Sequence, residues 1–304
     1  MIVALQLLAL ALVLGSVYSL FAVSLNLVWG ISSVVNIAHG SFLVLGAYAL
    51  WQSQSMGLSL LIAIPVILAG TFGLFVVLYR LLLMTLGEKN IEFGSLLVTW
   101  GISLVIIAAL RSSAGTELRK VDLLPGSITV VGVTITTSGA VTFLVAILMA
   151  ASIAAYLRFS SRGRSMRAVG SHPELAAAVG VNVPATRAFT FGLGMTMTLG
   201  AGMLFGTSFV FFPNIGDNFI IKAVAIVLVA GLGKLWRTWI VGIVLAIGET
   251  LAQYFWSVTG AQLLAYVMLV VVLLIRKDEL LRLVRRFDAW RKAAFASTVN
   301  AGRN

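Results

Sequence analysis

Cysteine is absent from this sequence, so disulfides, thiolate metal sites and thiol chemistry are excluded from the start. Charge is scarce. Asp, Glu, Lys and Arg make up 10% of the 304 residues, against about 25% in an ordinary soluble domain. That shortage excludes a water-covered globule, which needs polar side chains to clothe its surface. Phosphate-binding motifs are missing as well. AGLGKLWR at 230–237 lacks both the spacing and the hydroxyl residue of a GxxxxGK[ST] loop. No His-Glu-x-x-His pair, nucleophile elbow or carboxylate constellation occurs. The chain is therefore expected to be no enzyme, with no nucleotide site, metal or cofactor of its own.

What is present is apolar: 60% of residues are hydrophobic and the mean hydropathy is +1.07. Hydrophobic runs fall at 3–29, 31–51, 58–82, 94–111, 139–158, 188–211, 219–233, 238–256 and 260–275. Several approach the roughly 20 residues that cross a bilayer as a helix. Backbone hydrogen bonding in lipid then selects an all-α polytopic bundle of about eight to ten transmembrane segments. Long unbroken runs exclude a β-barrel. The first run has no basic residues before it and continues to Trp29, so it reads as a retained span rather than a cleaved signal.

The net charge of +11 is not spread evenly. Arg158, Arg162, Arg164, Arg167 and Arg187 cluster between the fifth and sixth runs, and Lys234 and Arg237 lie two crossings later. The tail 276–304 adds eight basic and three acidic residues. Basic loops face the cytoplasm. This places the N-terminus outside and the C-terminus inside, with a transmembrane domain at 1–275, a cytoplasmic loop at 158–187 and an external loop at 112–138. Arg111, Arg119 and Lys120 run against that polarity, partly offset by Glu117 and Asp122. In the external loop, LPGSITVVGVTITT predicts a small hairpin. Residues 276–294 repeat Leu280, Leu283, Val284, Phe287 and Trp290 at helical spacing among arginines, which predicts an interfacial amphipathic helix.

Two runs are unusual. The run at 31–51 opens with Ser32, Ser33, Asn36, His39 and Ser41, and the one at 219–233 is short and follows PNIGDN. Short or polar-interrupted segments in the two halves of a transporter point to discontinuous helices beside a substrate path. Asn36, His39, Gly40 and Ser41 are thus candidate pathway residues, although for Asn36 and His39 hydrogen bonding between helices is the favoured account from the residues alone. Glu249 is a third such case, an acid inside a run, open to a proton-relay or a structural reading. In the basic loop, Ser171 and Glu174 make a capping-box pattern, Pro173 suits a first helical turn, LAAAV is helical and Gly180 supplies a left-handed stop. The result is a helix of about two turns between flexible arms. It is too short to stand alone, so it docks either on its own bundle or on a separate motor subunit.

GxxYxLFAVSLNLVWGISSVVNIAHGSFLVLGAY, GRSMRAVGSHPELAAAVGVNV and AFTFGLGMTMTLGAGMLFG together resemble the permeases of branched-chain amino-acid ABC importers, a group that includes urea and amide permeases. Asn-x-Ala-His-Gly at 36–40 and Gly-Arg-x-Met-Arg-Ala at 163–168 are the most specific matches, and segment order agrees over about 10–275. A Pro-Leu-Arg element after the third segment and a Gly-Gly-x-Gly-x-x-x-Gly-Ala near the eighth are replaced here by RLLLMTLGEKNIEFG and AGLGKLWRTWIVG. The resemblance implies a bacterial inner-membrane permease that works with a second permease, identical or paralogous. It also implies two cytoplasmic ATPases that bind ATP and Mg, and a periplasmic or lipid-anchored substrate-binding protein. It further implies a coupling helix over Ser171, His172, Pro173, Glu174, Leu175, Ala176, Ala177, Ala178, Val179 and Gly180. An ion-coupled secondary transporter or channel for a small solute such as urea, using Glu249 or His39, is the rival reading.

Overall fold

The computed structural model describes residues 2–86, 91–130 and 132–275. Each predicted run becomes a helix. In chain order these are α1 (Ile2–Ser32), α2 (His39–Ser55), α3 (Leu60–Leu78), α4 (Ile91–Ala114), α5 (Thr137–Phe159), α6 (Ser161–Ser171), α7 (Pro173–Ala178), α8 (Val183–Ser208), α9 (Ile215–Ala230), α10 (Leu235–Phe255) and α11 (Val258–Ile275). The hairpin β1 (Ser127–Val130) and β2 (Val133–Thr136) precedes α5, its strands antiparallel with Ser127 opposite Thr136. Among the described residues, six helices are long and apolar enough to cross a membrane. The chain is an all-α polytopic membrane protein. The tail helix expected at 276–294 lies outside the described residues.

Apolar side chains cover the outside of the bundle as well as its core, and polar ones are drawn inward. Leu61 of α3 is 88% exposed, Val105 of α4 69% and Leu274 of α11 70%, whereas Ser16, Ser19, Ser24 and Asn26 of α1 are fully buried. Lipid solvates the first set; Ser19, Ser24 and Asn26 bond neighbouring helices, while Ser16 donates back to the Val13 carbonyl of α1.

The two unusual runs are where the chain breaks. α1 ends at Ser32, Ser33 adopts φ +57°, and the backbone stays non-helical until Ala38, where a turn leads into α2. A non-glycine residue held in the left-handed region costs roughly 1–2 kcal/mol, so the break is built in rather than a fray. The second break spans 209–214, between α8 and α9. The polar residues Ser32, Ser33 and Asn36 thus precede the second helix instead of opening it.

Packing relates the two halves. α1 lies along α10 and α8 along α3; α2 packs on α8 and α9 on α1; α4 rests on α2 and α11 on α9; α2 and α9 cross each other. Each half therefore runs long helix, break, short helix, two more helices, and their partners are exchanged reciprocally. The sense is antiparallel: the end of α1 meets the start of α8, with Ser32 Oγ donating to the Arg187 carbonyl at 2.9 Å. This is an inverted-repeat arrangement, with the short helices at its centre.

The basic residues against the expected polarity have local work. Arg111 donates through Nε and Nη2 to Asn214 Oδ1 at 3.0 and 2.7 Å. The Arg119 guanidinium stacks 3.8 Å over the Trp51 ring, and its backbone exchanges two hydrogen bonds with Phe211. The hairpin is anchored in turn by Gln6, whose amide both donates to the Thr134 carbonyl and accepts from the Thr134 N–H.

Candidate functional site

α2 and α9 meet N-terminus to N-terminus. At the crossing a Cβ on Gly40 would overlap the Gly216 carbonyl, and one on Gly216 would overlap Gly40. Only glycine permits two backbones to approach so closely. Immediately before Gly40, His39 is fully buried. Its Nε2 lies 3.0 Å from Ser24 Oγ and 2.8 Å from Thr198 Oγ1, and those two hydroxyls are 2.8 Å apart. One imidazole thus ties α2 to α1 and α8. Asn36 Nδ2 donates to Met195 Sδ at 3.1 Å, and Ser41 pairs with Ser103 of α4 at 2.5 Å. The backbone N–H of Ile37, freed by the break, donates to Thr99 Oγ1 at 3.0 Å. Asn36, His39, Gly40 and Ser41 therefore form one constellation around the start of α2. Asn36 Oδ1 and His39 Nδ1 are buried with no partner among the described residues.

Glu249 belongs to a second cluster. Its Oε1 accepts from Lys222 Nζ of α9 at 2.5 Å, and Lys222 also donates to Tyr18 Oη of α1 at 2.6 Å. Lys222 and Glu249 are 8% and 3% exposed. The carboxylate sits within α10, paired, rather than near a helix end. Phe21 and Phe219 separate the clusters, with ring centroids 6.0 Å apart; Phe219 stacks edge-on to Tyr18 and Phe21 lies 5.4 Å from His39. Lys222 was legible as a lone cation within an apolar run, and an intramembrane lysine calls for a partner. Sequence reasoning passed over it.

A third element, also unforeseen, is Asn26. Its Nδ2 donates to the Gly231 carbonyl and to Thr238 Oγ1, and its Oδ1 accepts from the Gly233 N–H at 2.7 Å. The turn it holds requires positive φ at Gly231 and Gly233, +89° and +77°. Asn26 thus fixes the α9–α10 corner against α1. Asn26→Ala is expected to lower stability by about 2 kcal/mol, since it strands the Gly231 and Gly233 polar groups. A depressed thermal midpoint in detergent, with cleavage gained near 231–234 on limited proteolysis, is the result to look for.

At the basic end the expected two-turn helix is present as α7, but its surroundings differ from expectation. The preceding arm is not flexible: Ser160 Oγ accepts from the Gly163 N–H at 2.8 Å and starts α6, which runs through Ser171. The capping box does not form. Ser171 Oγ donates back to the Arg167 carbonyl, and His172, without a side-chain cap, is the N-cap of α7. The cause is Pro173. A residue before proline is pushed to extended backbone, and His172 has φ −147°, ψ 90°. The far end behaves as read: Gly180 takes φ +86°, with Gly180 N–H on Ala177 and Val181 N–H on Ala176, a Schellman closure. α7 rests on buried Ala176 and leaves Leu175 65% and Val179 79% exposed. A cleft of about 510 Å³ opens between α1, α5, α6 and the α9–α10 corner, lined by Asn26, Ile31, Leu157, Arg158, Arg167 and Gly233 among others.

Comparison with known proteins agrees with this architecture. The family described as "Branched-chain amino acid transport system / permease component" matches residues 7–275. The high-affinity branched-chain amino acid transport system permease protein LivH of Escherichia coli K12 is 27% identical over 288 residues, covering 88% of this chain and 92% of LivH. BraD of Pseudomonas aeruginosa, of the same description, is 25% identical over 295 residues, or 91% and 95%. A probable LivH from Methanocaldococcus jannaschii is 25% identical over 264 residues, 84% of each chain. No solved structure matches. With the match running from the buried stretch of α1 through α11, the chain belongs to the family of branched-chain amino acid transport permease components.

Proposed function

We propose that this chain is the membrane permease of an ATP-driven importer for branched-chain amino acids. It pairs with a second permease, takes substrate from an external binding protein and is driven by two cytoplasmic ATPases that hold the ATP and Mg. The observation that carries the reading is α7. A helix of six residues is far below the length that is stable alone in water, yet this one is closed at its C-terminal end by Gly180 and holds Leu175 and Val179 outward on one face. An apolar i, i+4 pair on a rigid knob at the basic end suits insertion into a cleft of a motor subunit.

The basic loops favour a cytoplasmic location for that end and an external one for the hairpin and N-terminus. ATP-driven closure of the ATPases would push on α7, and through α6 and α8 on the long helices that carry the breaks. The ion-coupled alternative has less to stand on: Glu249 is engaged by Lys222, and His39 Nε2 by two hydroxyls.

The test is Leu175→Arg with Val179→Arg, and separately deletion of 172–180. Both are expected to abolish ATP-dependent uptake of leucine, isoleucine and valine, and recovery of the ATPase on the tagged permease, while membrane insertion persists. Full uptake by either variant would end the coupling assignment. Flux driven by an ion gradient through the purified chain alone would favour the rival.

A further inference from the structure

α9 leaves one stripe incompletely covered. Positions 217, 221, 224 and 228, spaced four, three and four apart, are exposed or half-buried, whereas Gly216, Phe219, Lys222, Ala223, Ile226 and Val227 are buried. Three members of the stripe are aliphatic: Ile221, Val224 and Leu228. The fourth, Asp217, is an exposed carboxylate one residue past the Gly40–Gly216 crossing. α2 and α9 have 17 and 16 residues, each roughly 25 Å long, and they meet at that crossing. Asp217 lies in the first turn of α9, one turn from the Asn214 that Arg111 holds. A carboxylate there does not face hydrocarbon; it faces protein or a watery path.

Asp217 has no side-chain partner among the described residues. Its backbone N–H donates to the Asn214 carbonyl at 3.2 Å, and the side chain of the same Asn214 holds Arg111 through Nε and Nη2. Asn214 thus brings one fixed cation and one unpaired anion to the same end of the stripe, with Arg111 Nη1 still available. Asn214 neutralises neither charge. The pattern of a guanidinium, a carboxylate and an aliphatic strip beside them is complementary to a free α-amino acid with a branched side chain.

We propose that Arg111 and Asp217, joined through Asn214, form a zwitterion site. Arg111 receives the α-carboxylate, Asp217 receives the α-ammonium, and Ile221 and Val224 take the aliphatic side chain. The site rests on the amino-acid import reading above and gives it a location.

The experiment uses the complete transporter in proteoliposomes with its binding protein, and measures labelled leucine uptake together with ATP hydrolysis stimulated by the loaded binding protein. Asp217→Asn and Arg111→Gln are each expected to cut leucine moved per ATP hydrolysed by about tenfold, the loss of one charged hydrogen bond. Asp217→Glu should keep most of it. An unchanged ratio in both variants overturns the site. Uptake and stimulated hydrolysis falling together would also overturn it, because the pair would then belong to docking of the binding protein or second permease. Absence of ATP-driven uptake in the unaltered complex would instead sink the importer reading, and the site with it.

Discussion

Lys222→Met is expected to yield a protein that inserts but does not hold its fold, whereas Lys222→Met combined with Glu249→Leu is expected to restore it. The single change leaves the Glu249 carboxylate buried among α1, α9 and α10 with no cation, and its Oε2 already has no partner among the described residues. Breaking a buried pair from one side costs about 3–5 kcal/mol, a large share of the 5–15 kcal/mol typical of a folded domain. Removing both charges and filling their volume is often neutral or better. Tyr18 would then lose the cation it accepts from, at a cost of about 1 kcal/mol, so recovery should be large but incomplete. Monodispersity after detergent extraction and the thermal midpoint report the outcome. If Lys222→Met melted beside the wild type, the pair would contribute little to holding α9 in place.

Gly40→Ala should be nearly as damaging, and for a different reason. The new methyl group would fall on the backbone carbonyl of Gly216, and backbone cannot rotate aside as a side chain can. Overpacking costs about 1–3 kcal/mol where neighbours yield, and here the two short helices must separate instead. Separation would also pull His39 from Ser24 and Thr198. Gly73→Ala on α3, where a Cβ meets nothing within 4 Å, is the matching control and should be neutral or stabilising by about 0.5–1 kcal/mol. Uptake and melting measured side by side would show whether the crossing, rather than glycine content, matters. Full activity in Gly40→Ala would mean that the α2–α9 contact is dispensable.

Much of this fold is legible in the sequence, because lipid writes its demand into long apolar runs. All nine runs become helices, and the hairpin at 127–136 follows from Pro-Gly and β-branched residues around a second glycine. The two breaks were signalled by polar residues that lipid would not tolerate on a continuous span. What composition hides is pairing. Tyr18, Lys222 and Glu249 are scattered over three helices, and nothing local to Lys222 names its partner. Asn26 is similar: its ligands are the Gly231 carbonyl, the Gly233 N–H and Thr238, at sequence separations of 205, 207 and 212. The capping box at Ser171 and Glu174 misled for a local reason. The pattern is correct, but proline at 173 imposes an extended residue at 172 and moves the cap by one position, while Ser160 starts an unforeseen helix before it. Family membership itself was carried by short motifs, which in the structure are the α1–α2 break and the α6 elbow.

The placement of α1 has a consequence for how the protein is made. This helix leaves the ribosome before the other helices described, yet three of its polar residues find their partners in the last third of the chain. Tyr18 accepts from Lys222, Ser19 donates to the Trp239 carbonyl, and Asn26 waits for the corner at 231–233. Throughout most of synthesis α1 must therefore reside in the bilayer with those groups unsatisfied. Its hydropathy of 2.2 over a membrane-length window is what lets it do so. Insertion and folding are thereby separated in time, and the central helix becomes structural only when α9 and α10 arrive to close around it.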